Sequence, residues 1–148
     1  MAGDSGTADF YITDIPAEHL DSESLPSTLS GTITHVQLFL EPRIGKTPRN
    51  SNASTCTIEF YIVANGLVGL YGGGGYMQPD GRIGDQNITA SIRKASLAPL
   101  RHSPGFMDVL GPSHFNLTET FDRNTLMALT LRDVCNTLSQ RANQSTRN

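Results

Sequence analysis

The sequence predicts a mainly β domain, either a β-barrel or a curved antiparallel sheet of about five to eight strands, with one C-terminal α-helix. A β-sandwich is the alternative arrangement. Three observations carry this prediction: apolar and polar residues alternate in several segments, Asn65-Gly66 separates two of them, and apolar residues near the C-terminus recur at helical spacing. At 148 residues, a single domain over residues 1–148 is expected.

The clearest strand covers residues 55–64 and is predicted to form a hairpin. Cys56, Ile58, Phe60, Ile62 and Ala64 fall on one side of it, because successive side chains of a strand point to opposite faces. Asn-Gly is the strongest short hairpin signal, and a second apolar run over residues 67–71 follows it. Four glycines at 72–75 then predict a bulge, a close backbone approach or a flexible flap.

The segment before the hairpin predicts two further strands. Residues 10–15 are expected to form an edge strand that ends at Pro16, with helical turns over residues 17–25. Residues 29–40 alternate as a second strand, and residues 43–54 are polar and rich in turn formers, which predicts an exposed loop.

After the hairpin, residues 86–94 alternate as an amphipathic strand, with Pro79-Asp80-Gly81 as the preceding turn. Prolines and glycines over residues 97–112 predict that this segment is not one regular element, although a short helical turn over 104–110 is expected. Residues 114–120 are predicted to form another short strand.

Near the C-terminus, the apolar residues predict an amphipathic helix. The stripe consists of Met127, Leu131, Val134, Cys135 and Leu138, and Asp122 or Asn124 is expected to cap the helix. Leu126 and Leu129 lie off this stripe, which predicts a second neighbour in the same chain or in another subunit. The alternative is a strand over residues 125–131 that pairs with residues 115–120. Residues 1–8 and 141–148 are expected to be flexible tails.

Composition limits the classes of partner and the location. The net charge is −3 and lysine and arginine do not cluster, so nucleic acid is not an expected partner. No apolar run is long enough for a membrane span and the N-terminus lacks a signal-peptide pattern, so a soluble cytoplasmic protein is expected. Cys56 and Cys135 are expected to be buried thiols, with a disulfide as the alternative.

The sequence contains no complete motif for catalysis or for cofactor binding. Gly45-Lys46-Thr47 lacks the earlier glycine of a phosphate loop, the glycine run lacks the third glycine of a dinucleotide fingerprint, and no metal-ligand spacing or cofactor motif occurs. His35, within a strand, and His102 with Asp108, in the irregular segment, remain candidates for acid–base chemistry in a small barrel enzyme, such as an isomerase, cyclase or hydrolase.

The glycine run is the best candidate for ligand binding. Tyr71 and Tyr76 bracket a backbone without side chains, so Tyr71, Gly73, Gly74 and Tyr76 are predicted to admit a flat ligand or a partner strand. The predicted function is that of a non-enzymatic β domain, which binds a small apolar molecule or assembles as a homo-oligomer. The small barrel enzyme is the alternative.

Overall fold

The structure, a computed structural model, describes residues 1–4, 7–39 and 54–144. Seven antiparallel strands form one sheet in which the spatial order follows the chain order, β1 to β7. One C-terminal helix packs on this sheet, so the predicted fold class, a curved antiparallel sheet with one helix, is confirmed. The elements are β1 Ala2–Asp4, β2 Thr7–Thr13, β3 Gly31–Leu38, β4 Cys56–Ala64, β5 Leu67–Asp80, β6 Asn87–His102, β7 Ser113–Asp122 and α1 Thr125–Asn143.

The sheet curls into a half-barrel, and this curl brings its second and seventh strands into contact. The rings of Phe10 on β2 and Phe121 on β7 are in edge contact, with centroids 4.9 Å apart. In a flat sheet, five strand spacings would separate β2 from β7 by about 24 Å. The face that carries these rings is therefore concave, and we call it the inner face; the opposite face is the outer face.

Each face has its own core, whereas the alternation in β4 predicts a half-buried strand with one apolar face. Cys56 and Ile58 are buried on the inner face, and Tyr61 and Val63 are buried on the outer face. The inner core also contains Phe10, Val36, Leu38, Tyr71, Met77, Ile88, Ile92 and Phe121. The outer core contains Ile33, Val68 and Leu70 of the sheet, Leu20, Leu25 and Leu29 of the β2–β3 connection, and the buried side of α1.

Helix α1 covers part of the outer face. The side chain of Asn124 accepts a hydrogen bond from the Met127 N–H at 2.9 Å, so one of the two predicted caps is confirmed. The predicted stripe packs into the outer core, and the alternative strand over residues 125–131 is wrong. Leu126 and Leu129 are 77% and 41% exposed. The second neighbour predicted for them stays a prediction.

Strand β6 runs further than the sequence predicts. It continues through Pro99 to His102, and residues 103–112 are irregular, so the prediction that residues 97–112 are not one regular element is confirmed, although their first part belongs to a strand. Tyr71 pairs with Pro99 whereas Leu70 pairs with Arg101, which leaves Leu100 as a bulge. Strand β7 pairs with β6 only as far as Leu97, so the missing N–H of Pro99 interrupts no ladder on that side.

The glycine run lies inside β5, which extends through Pro79 to Asp80, beyond the predicted second run over residues 67–71. All four glycines pair with β4, and a register shift toward β6 follows Gly74. A Cβ on Gly73 would lie 1.7 Å from the carbonyl oxygen of Ser96. The close backbone approach and the bulge predicted as alternatives both occur here.

Smaller predictions had mixed outcomes. In place of helical turns over residues 17–25 there is one 3-10 turn, Ala17–His19, and residues 104–110 contain no helix. The predicted loop over residues 43–54 lies almost entirely outside the described residues. In the predicted tails, β1 pairs with β2 and α1 continues to Asn143, while their flexibility stays a prediction.

Candidate binding site

The two ends of the curled sheet face each other without pairing over part of their length. Strand β1 pairs only with Thr7, Ala8 and Asp9 of β2, and in the described part of the chain β7 pairs only with β6. Residues 10–13 of β2 and 119–122 of β7 therefore present backbone edges that have no ladder partner among the described residues. We call the space between these two edges the seam.

Side chains bridge the seam where the backbones do not. Phe10 and Phe121 are both buried and fill its inner side with their edge contact. The first turns of α1 lie over its outer side, because just two residues, Arg123 and Asn124, separate the end of β7 from the start of α1. The seam thus has a closed inner end and a wall of helix.

A cavity of about 320 Å³ occupies the seam. This volume is at the lower end of the range for small-molecule sites, which is about 300–1,000 Å³. Ile12, Phe121, Met127, Ala128 and Leu131 provide its apolar wall. Its other lining residues are Met1, Tyr11, Thr13, Glu119, Thr120, Asp122 and Asn124.

Several polar groups of the cavity already form hydrogen bonds within the chain. The Thr13 hydroxyl donates to the Thr32 carbonyl at 2.8 Å and accepts the Ile15 N–H at 3.0 Å, and Asn124 caps α1. The Tyr11 hydroxyl, in contrast, has no hydrogen-bond partner among the described residues. Burial, followed by the charge of Asp9, raises the pKa of Tyr11 above its ordinary value, so the hydroxyl stays protonated and can donate.

The charges at the cavity are mainly negative. Glu119 and Asp122 line it and are exposed, and no lysine, arginine or histidine lies among its described lining residues. The Met1 ammonium is the opposing charge and donates to the Asp122 carbonyl at 3.5 Å. This balance disfavours an anionic ligand.

His35 lies next to the seam, between two carboxylates on the outer face. Its Nε2 is 2.8 Å from Asp9 Oδ1, and its Nδ1 is 3.4 Å from Glu59 Oε2. The register explains the cluster, because His35 on β3 stands directly opposite Glu59 on β4 and next to the pair formed by Asp9 on β2 and Gln37 on β3. The Tyr61 hydroxyl completes it by donating to Glu59 at 3.0 Å.

The carboxylates determine the charge of His35. Burial disfavours the imidazolium, but the hydrogen bonds with Glu59 and Asp9 outweigh burial and raise the pKa of His35 above its ordinary value. The hydrogen bond from His35 is also the largest cause of the lowered pKa of Glu59. Because both ring nitrogens face carboxylates, neither is left to act as a general base toward a substrate.

Tyr11 connects this cluster with the cavity. Its ring stacks on the ring of His35, with centroids 4.6 Å apart and planes within 7° of parallel, and it also lines the cavity. The histidine therefore lies behind the wall of the cavity and does not line it.

No protein-family model, curated protein or solved structure matches this chain.

His102 and Asp108, predicted as an acid–base pair, lie near each other, and neither is a partner of His35. Asp108 accepts a hydrogen bond from the Tyr71 hydroxyl at 2.5 Å, as well as the N–H groups of Leu110 and Gly111. These bonds hold the pKa of Asp108 below its usual value, with a smaller contribution from the charge of His102. Their evident structural effect is to hold the segment between β6 and β7 against the inner face.

The predicted ligand-binding residues do not form one surface. Tyr71 is buried in the inner core, whereas Tyr76 precedes the inner-face residue Met77 and is partly exposed on the outer face. Gly73 is in close contact with β6, and a Cβ on Gly74 would lie 2.8 Å from the Cys56 carbonyl oxygen. Ligand binding by these residues stays a prediction, and the structure brings other residues together at the seam.

The two cysteines lie away from the seam cavity. Cys56 and Cys135 are free, buried thiols on opposite faces of the sheet, as expected; burial raises the pKa of Cys56 to about 11 and that of Cys135 to about 12. Among the described residues, no group of three or more potential ligands is placed to hold a metal ion. Over the same residues, no helix has the length and apolar character needed to cross a membrane.

Proposed function

We propose that this chain is a non-enzymatic binding domain that takes a small apolar molecule into the seam cavity. The observation that supports it most is the cavity itself, which has an apolar wall, is about 320 Å³ in volume and is built from three elements of the fold. The proposal does not use the glycine run. It places the ligand between β2, β7 and the start of α1.

The position of the histidines favours binding over the alternative of a small barrel enzyme. None of the four histidines lines this cavity, and both ring nitrogens of His35 are engaged by carboxylates. A domain with two free, buried thiols is also suited to the reducing environment of the cytoplasm, where we place it.

The charges of the lining residues indicate which charge a ligand of the cavity should have. Two carboxylates oppose one ammonium group, so a neutral or cationic apolar molecule suits the cavity better than a fatty acid. Neither nucleic acid nor membrane is a proposed partner.

Filling the cavity is expected to weaken binding of a small apolar molecule. Ala128 is 4% exposed and lines the cavity, so Ala128→Leu adds a branched side chain to the space that the ligand needs. The chain contains no tryptophan whose fluorescence could report binding. Binding can be followed instead by the fluorescence of a neutral apolar dye, N-phenyl-1-naphthylamine. We expect Ala128→Leu to weaken dye binding at least about tenfold, a change of about 1.4 kcal/mol.

The matched control is Asn136→Leu, which places a leucine on the exposed side of the same helix. This variant is expected to bind the dye as the unchanged chain does, and both variants should retain the far-ultraviolet circular dichroism of the fold. If the dye does not bind the unchanged chain, or binds Ala128→Leu equally well, the cavity is not a site for a small apolar molecule.

Assembly as a homo-oligomer is the second proposal, favoured by apolar side chains that face solvent. Leu126 is 77% and Leu129 41% exposed on one side of α1, and Met107 and Val109 are 77% and 75% exposed between β6 and β7. Native mass spectrometry should show an oligomer that Leu126→Ser with Leu129→Ser dissociates, whereas Leu100→Ser on β6 does not. A monomer at all concentrations would contradict this proposal.

A further inference from the structure

The seam differs from an ordinary apolar pocket because strand edges form two of its walls. Residues 10–13 of β2 and residues 119–122 of β7 line it or flank it, and neither stretch has a ladder partner on this side among the described residues. In an antiparallel strand every second residue directs its N–H and C=O toward a given edge. Each wall therefore offers backbone donors and acceptors at the spacing of a β-ladder.

The chain already places a strand in the continuation of this space. Strand β1 lies along β2 at Thr7–Asp9, and its first neighbour, Met1, reaches across to the Asp122 carbonyl of β7. The cavity begins where β1 begins, since Met1 is one of its lining residues. An extended segment in the cavity would thus lie in line with β1.

The edge of β2 lacks the residues that commonly prevent strand addition. Proteins protect exposed edges with proline, with charged side chains, above all lysine, or with a covering helix; residues 10–13 contain neither proline nor a charged residue, whereas residues 119–122 include Glu119 and Asp122. Phenylalanine rings, not ladder hydrogen bonds, join β2 to β7 at this point. Four residues of strand span about 13 Å, which is the length of the unpaired edge on each side.

From these observations we infer that the seam binds a short extended peptide, which adds as a strand between β2 and β7. Its backbone would pair with the two edges, and alternate side chains would point toward the phenylalanines of the inner face and toward Met127 and Leu131 of α1. The carboxylates of Glu119 and Asp122 favour a peptide with a basic residue. This inference rests on the proposed function, because it specifies the ligand of the same cavity.

The test compares a peptide with an N-methylated control of the same sequence. The probe is the acetylated tetrapeptide amide Lys-Val-Thr-Val, and the control is the same peptide with both valine nitrogens methylated, which removes two donors and keeps the side chains. Titration into the full chain is followed by NMR. We expect new protection from hydrogen exchange at alternate amides of residues 10–13 and 119–122, and about tenfold weaker binding of the methylated peptide.

A tethered version removes the dependence on a weak free ligand. The four residues Lys-Val-Thr-Val, fused directly before Met1, would be present at millimolar effective concentration. They should protect the same amides and displace N-phenyl-1-naphthylamine, whereas Lys-Pro-Thr-Pro at the same place should do neither. Proline lacks the N–H that a ladder requires.

The outcomes separate the two proposals. If the dye binds in a way that Ala128→Leu abolishes, but neither the free nor the tethered strand protects an edge amide, the small-molecule site stands and strand addition is wrong. If both peptides bind equally well, backbone pairing is also wrong. If neither dye nor peptide binds, the seam cavity is not a binding site at all.

Discussion

Replacing Gly73 by alanine is expected to destabilise the domain by about 3 kcal/mol or more, a large part of the roughly 5–15 kcal/mol by which an ordinary domain is stable. A Cβ at this position would lie 1.7 Å from the carbonyl oxygen of Ser96 and 2.8 Å from its carbonyl carbon. Both atoms belong to the backbone of β6, so no side-chain rotation relieves the clash. The two strands would have to separate in the middle of their shared ladder.

Gly72→Ala is the matched control, because the same change is made one residue earlier in the same strand. Here the nearest atom to a new Cβ is the Cδ1 of Leu100 at 2.4 Å, and Leu100 is 56% exposed. Its side chain can move into solvent, so we expect the free energy of unfolding to change by less than about 1 kcal/mol in either direction. Both values can be measured by urea unfolding followed by circular dichroism. Equal effects of the two substitutions would show that backbone clearance does not explain the glycine run.

Alternation in the sequence predicts which residues of a strand share a face, although β4 is predicted to be half-buried and is buried on both faces. Cys56, Ile58, Tyr61 and Val63 divide between the two cores in the way that their parity indicates. The helix can also be predicted from the sequence, because its buried residues recur at spacings of three and four. Pro99 shows where local patterns fail. A proline argues against a strand interior, and only the absence of β7 beside it makes the position acceptable.

The candidate site could not be predicted in the same way, because it depends on contacts between distant segments. Phe10 and Phe121 meet only when the whole sheet has curled, and no local pattern specifies the amount of curl. His35 was a candidate from its place in a strand, but its partners Asp9 and Glu59 follow from the register of three strands. Asp9, His35 and Glu59 lie on the same face of three neighbouring strands. Polar residues that share a face in neighbouring predicted strands are therefore the sequence signal for such a cluster.

The pH dependence of stability should reveal the cluster formed by Asp9, His35 and Glu59. The pKa of His35 is raised in the folded state, so its contribution is complete below the ordinary histidine value of about 6.5 and is lost as the pH rises through the raised value. The pKa of Glu59 is lowered, so its contribution is complete above about 4.5 and is lost as the pH falls through the lowered value. The cluster therefore stabilises the domain most in the window between these two ordinary values.

His35→Gln is expected to remove the alkaline part of this dependence. Asp9 and Glu59 have side chains 38% and 45% exposed, so solvent screening reduces the effect, and we expect the unchanged chain to lose about 1 kcal/mol more than the variant between about pH 6 and pH 9. Urea unfolding at several pH values measures the difference. His114→Gln, at an exposed histidine of β7, should keep the full dependence. A variant at His35 with the same pH profile as the unchanged chain would mean that the imidazolium does not stabilise the fold, and that Tyr11 is held at the seam by packing alone.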